Sequence, residues 1–134
     1  MLIAGLAGCM TTRTRYYVPT EGQPRLGANE MKEQAEVLLR MECPRLLDGM
    51  ASALGETQLV VDVDGGGKVS RARVARSSGD ERIDAIFGGV LAQLEVDAPG
   101  DGRTKSSRVR MGYSCAPDQA VVTVSGIEIG DGAT

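Results

Sequence analysis

The sequence predicts an α+β domain in which a small antiparallel sheet packs against helices. Three observations predict it. Apolar residues recur at helical spacing over 31–54 and again over 83–94. They alternate at period two over 59–63, 69–75 and 108–115. Turn residues (Asp64-Gly65-Gly66-Gly67 and Ala116-Pro117-Asp118-Gln119) stand between extended runs, where hairpins need them. A chain of 134 residues, 42% hydrophobic and 25% charged, suits one globular domain. Its only aromatics are Tyr16, Tyr17, Phe87 and Tyr113, so the core must be aliphatic.

The elements follow in order. Asn29 suits a helix N-cap, with Met31, Ala35, Leu38 and Leu39 on one face of a helix from Glu30. Cys43, Leu46, Leu47, Met50 and Leu54 continue that spacing, with Pro44 fitted to the first turn of a second helix and Gly55 to its end. Residues 59–63 form a half-buried strand, the glycine turn reverses the chain, and residues 69–75 return as a second strand. Ser78-Gly79-Asp80-Glu81 has capping-box spacing and opens the helix that carries Ile83, Ile86, Phe87, Val90, Leu91 and Leu94. Residues 108–115 are a third strand, with Val109, Met111, Tyr113 and Cys115 on its apolar face. Residues 120–129 read as a fourth, interrupted or ended near Gly126. Antiparallel pairing gives the order 2-1-3, and the Pro117-Asp118 turn folds the fourth strand back onto the third. The domain therefore spans 29–129, between a flexible tether over 10–28 and a disordered tail over 130–134.

Composition excludes much chemistry. There is no histidine, which removes His-based triads, His metal sites and the commonest general base near neutral pH. A net charge of −3 argues against nucleic acid as a partner. Lys68, Arg71, Arg73 and Arg76 read as charges guarding the edge of the second strand against pairing, with a specific anion-binding role as the lesser alternative. Asp62 and Asp64 have the opening spacing of a calcium loop, but Gly66 and Arg73 stand where further ligands belong. Residues 100–106 lack the G-K-[ST] order of a phosphate loop. Asp80, Glu81 and Asp84 suit the start of a helix, and no carboxylates pair for acid–base work. The expectation is no enzyme, no cofactor and no metal.

The N-terminus points to an envelope. Residues 1–9 are apolar, too short to span a bilayer, and end in Leu6-Ala7-Gly8-Cys9. That motif resembles the lipobox of bacterial lipoproteins, in which small residues precede a cysteine that is lipidated after cleavage. The basic region and longer apolar run of such a leader are missing, so the expected start codon lies upstream. The resemblance implies a lipidated Cys9 and a periplasm-facing protein held by the lipid; Met10 in place of Asp favours the outer membrane. Cys43 and Cys115 then remain as an even pair in an oxidising compartment. They are either a disulfide or two buried thiols.

A second resemblance lies in Val61-Asp62-Val63-Asp64, Gly67-Lys68-Val69, Val74-Ala75-Arg76-Ser77-Ser78-Gly79 and Ile83-Asp84. Residues 59–115, a little under half the chain, resemble the C-terminal domain of the TonB family of energy transducers. That family has a hairpin with a glycine turn, a V-x-x-S-S-G step into a helix, and a closing strand. The chain departs from it after the helix, where Leu94-Glu95-Val96-Asp97-Ala98-Pro99 lacks the family's aromatics. It also lacks the transducer's long proline-rich spacer. The resemblance implies a protein-interaction domain whose third strand accepts an envelope partner's segment by β-augmentation, through Arg108, Val109, Arg110, Met111, Gly112 and Tyr113. If the fourth strand covers that edge, the chain is instead a non-transducing structural lipoprotein.

Overall fold

Helix α1 (Ala28–Leu47) begins one turn after the last proline of the N-terminal segment and runs without a break through Pro44. The structure is a computed structural model that describes residues 15–97 and 102–126. Asn29 lies inside the first turn of α1. The cap is Gly27, whose backbone N–H donates to the Glu30 carboxylate at 2.9 Å. Pro44 starts no second helix: it lies in the last turn of α1, which runs on through a residue that donates no N–H. The helix ends where Asp48 enters the left-handed region at φ 43°, followed by Gly49 at φ 85°. The expected helical face over Met50 and Leu54 is therefore corrected: both side chains are exposed, at 56% and 75%.

Strand β2 starts instead at Ala53 and runs to Val63. It begins early because its partner is long, and the ladder with β4 (Lys105–Ala116) extends from Ala53↔Cys115 to Val63↔Lys105. Pairing satisfies the backbone that a second helix would otherwise have satisfied. The turn to β3 (Val69–Arg76) is closed by Gly67 at φ 85°, whose N–H meets the Asp64 carbonyl at 3.0 Å. The Asp64 carboxylate accepts from the Gly66 and Lys68 amides at 2.9 and 3.0 Å. The acidic loop is spent on its own turn.

Helix α2 (Glu81–Leu91) is capped by Asp80, which accepts from the Arg82 and Ile83 amides at 3.1 Å, and not by Ser78. Strand β5 (Gln119–Ser125) pairs with β4 from Ala116↔Gln119 to Arg110↔Ser125. The expected extension of this strand to residue 129 lies outside the described residues, as do the tail and Cys9.

The tether expectation is corrected in part. Residues 16–17 form a two-residue strand, β1 (Tyr16–Tyr17), paired to β3 as Tyr16↔Arg73 and Tyr17↔Ala72. Beyond it, Arg25 donates to the carbonyls of Val69, Ala92 and Leu94 at 2.8 to 3.4 Å. Leu26 exchanges backbone bonds of 2.9 and 2.8 Å with Gln93 and Glu95. Two residues carry no periodicity, so this attachment is invisible to patterning.

Among the described residues the sheet has five antiparallel strands in the order β1-β3-β2-β4-β5, with α1 and α2 on one face. Helix α1 lies over β4 and β5, and α2 over β3 and β1. The core between them is largely aliphatic, with the rings of Phe87 and Tyr113 buried in it. Met31, Ala35 and Leu39 meet Leu59, Val61, Val109, Met111 and Val122. Cys43 of α1 and Cys115 of β4 form a disulfide with a Cα separation of 5.5 Å.

Candidate functional site

The predicted partner-binding edge is the first place to look. Along β4, Val109, Met111 and Tyr113 point into the core, while Arg108, Arg110 and Gly112 point to the bare face. Burial raises the Tyr113 phenol above its ordinary pKa. The backbone of Arg110 to Ala116 is occupied by β5. The outer edge so created is closed in turn at its centre: the Val122 amide donates to the Glu36 carboxylate of α1 at 2.9 Å. Lys32, one turn earlier, stands 3.5 Å from the same carboxylate. Sequence reasoning found β5 but missed Glu36, because on a helix wheel it is one more polar residue.

The step from β3 to α2, which carries the resemblance, is built around a buried carboxylate. Asp84 accepts from Thr57 Oγ1 and Ser78 Oγ at 2.8 Å, from the Ser78 amide at 3.0 Å, and from the Ser77 hydroxyl. Oδ1 accepts three of these bonds and Oδ2 the fourth, so the arrangement ties loop, helix and β2 together. Beside it, Arg45 of α1 forks onto Asp80 at 2.8 and 3.1 Å. That guanidinium is the main reason the Asp80 carboxyl sits below the usual carboxylate range.

The face of the sheet away from the helices has a composition of its own. The register places Arg71 beside Asp62, Arg73 beside Val60 and Arg76 beside Gln58, with Arg108 and Arg110 across β2 from them. Five arginines therefore share one face with two carboxylates, Glu56 and Asp62. Asp62 is held by Arg71 at 2.6 Å and by Ser106 at 2.6 Å, which lowers its pKa, the Arg71 bond contributing most. Arg110 stands 3.6 Å from Glu56, whereas Arg76 and Arg108 form no ion pair among the described residues. Tyr16 joins the face at its rim, with the Arg71 guanidinium 4.4 Å above its ring. The signal was present in the sequence as basic residues at alternate positions of two strands, and only the register brings the strands together.

A cleft of about 610 Å³ opens at the disulfide end, lined by Arg40, Leu47, Met50, Pro117 and Ala120. Among the described residues no cluster of three or more Cys, Asp or Glu side chains could hold a metal ion. No helix among them is long and apolar enough to cross a membrane. Comparison with family models, with curated proteins and with solved structures finds no match to the chain.

Proposed function

We propose that this chain is a lipid-anchored cell-envelope protein with a TonB-like domain, one that neither catalyses a reaction nor transduces energy. The observation that carries the reading is the double closure of the strand edge from Arg110 onward, first by β5 and then by Glu36 on the Val122 amide. A transducer of this kind needs that edge open, since β-augmentation supplies its affinity through backbone bonds. The order hairpin, helix, closing strand supports the TonB-like part, as does the use of Ser77, Ser78 and Asp84 to fix the step between them. Lipidation of Cys9 would hold the domain at a membrane facing the periplasm.

Two measurements test this. In hydrogen exchange, the Val121 and Thr123 amides, which alternate with Val122 and so face β4, should be protected as well as those of Val109 to Tyr113. Fast exchange there would reopen the edge and favour an augmentation module. For the anchor, the chain expressed in its native cells with upstream codons should partition into detergent, and Cys9→Ser should move it to the aqueous phase. Identical partitioning of the two would end the lipoprotein reading.

A further inference from the structure

We infer that the arginine-bearing face of the sheet is a docking surface for an anionic lipid membrane. Charge is segregated across the molecule. Helices α1 and α2 carry six carboxylates against four cations, while the opposite sheet face carries five arginines against two carboxylates. A net charge of −3 conceals this division. The cations of the face are all arginine, whose planar fork matches the oxygens of a phosphate and sheds water more readily than an ammonium. Among the described residues no second layer covers them, and Arg108 and Arg110 are exposed.

The route of the chain selects a membrane over other polyanions. Strand β1 brings the N-terminal segment onto the domain at Tyr16, and Tyr16 lies on this same face beside Arg73. Cys9 is seven residues earlier, a reach of at most about 25 Å when fully extended. Arg13 and Arg15 stand within that stretch. A lipid on Cys9 therefore enters the membrane close to the rim of the arginine face, and the tether holds that face within reach of the headgroups. A single-stranded nucleic acid would call for exposed aromatics on which bases stack, and the face offers only Tyr16, already covered by Arg71. The orientation rests on the lipid-anchor reading; the recognition of anionic headgroups does not.

The test uses the full chain carrying Cys9→Ser, which bears no lipid, so its outcome is independent of whether Cys9 is modified. Binding is measured by sedimentation with vesicles of neutral phosphatidylcholine alone and with 30 mol%, a chosen composition of roughly one lipid in three, of anionic phosphatidylglycerol. The anionic vesicles should bind well above the neutral baseline at low salt, and the excess should disappear near 1 M salt, where screening acts within about 3 Å. R108Q with R110Q should lower the anionic partition coefficient roughly 25-fold, at about fivefold per arginine. R40Q with R82Q removes the same charge from the helical side and should leave it unchanged; near-ultraviolet circular dichroism confirms that both variants fold. An equal loss in both variants, or no excess on anionic vesicles, overturns the proposal. So does displacement from the vesicles by a single-stranded oligonucleotide at equal phosphate concentration, which would assign the face to nucleic acid.

Discussion

The two halves of the sheet are fastened to the helical layer by different chemistry. The β4–β5 half is held to α1 by the Cys43–Cys115 disulfide and by Glu36 on the Val122 amide. The β1–β3 half is held to α2 by close packing of Tyr17 on Gly88, by Arg25 on three carbonyls, and by the buried Asp84 cluster. One half thus depends on an oxidising compartment, the other on complete satisfaction of polar groups. The difference teaches that one aliphatic core can be fastened at its two ends by unlike ties, one covalent and one polar.

Removing the covalent tie should have the largest effect. The disulfide closes a sequence separation of 72 residues, so Cys43→Ala with Cys115→Ala should destabilise the domain by about 4 kcal/mol in the chain-entropy account. Urea unfolding with and without reductant measures it. A loss below about 1 kcal/mol would mean that α1 and β4 are held by packing alone.

Next comes the polar tie of the other half. Asp84→Ala strands the hydroxyls of Thr57, Ser77 and Ser78 without their acceptor and should cost about 3 kcal/mol. Hydrogen exchange should rise first in β3 and α2, and last at β4. Uniform acceleration over the whole sheet would erase the distinction between the halves.

Gly88 sharpens the comparison at the edge covered by β1. A Cβ there would lie 2.3 Å from the Tyr17 ring, so Gly88→Ala should destabilise by about 1 kcal/mol despite the better helix propensity of alanine. In a Tyr17→Ala background the same change should become stabilising. No change of sign between the two backgrounds would show that β1 does not press on α2. At the opposite edge, Glu36→Ala should cost about 1 kcal/mol and speed exchange at Val122 alone. The variant should also self-associate in analytical ultracentrifugation, because its edge is no longer blocked.

The smallest effect is on pH dependence. Hydrogen bonding to Arg45 depresses the Asp80 carboxyl, so the unfolded chain binds that proton more readily than the native one. The contribution is therefore complete above the ordinary carboxylate range near 4 and is lost as pH falls through the lower native value. Asp80→Asn should be less stable than wild type at pH 7, with the gap closing below about pH 4 in thermal melts. A gap that persists unchanged at pH 2 would assign the effect to the helix cap and not to the charge.

Much of the fold is legible in single residues. Ile83, Phe87, Val90 and Leu91 announce α2, and Asp64 with Gly67 announces the hairpin turn. Val121 to Val124 announces β5, and Cys43 and Cys115 stand ready to pair because each lies on an apolar face. These are local signals: periodicity, turn conformation and side-chain shape act between near neighbours in the chain. The helical spacing of Met50 and Leu54 misleads for the same reason, since it ignores the end of α1 at Asp48 and the long β4 strand that claims the backbone from Ala53 onward.

What only the tertiary structure decides is who meets whom across the sheet. Glu36 and Val122 are 86 residues apart, Thr57 and Asp84 are 27 apart, and nothing local foretells either bond. Arg71, Arg73 and Arg76 read as guards of one strand until the register sets Arg108 and Arg110 across β2 from them. The sequence by itself determined the kinds of elements and the face each must bury, because those follow from local geometry and the hydrophobic effect. The closed edge and the charged face were decided by strand order and register, which arise only when distant segments share one core.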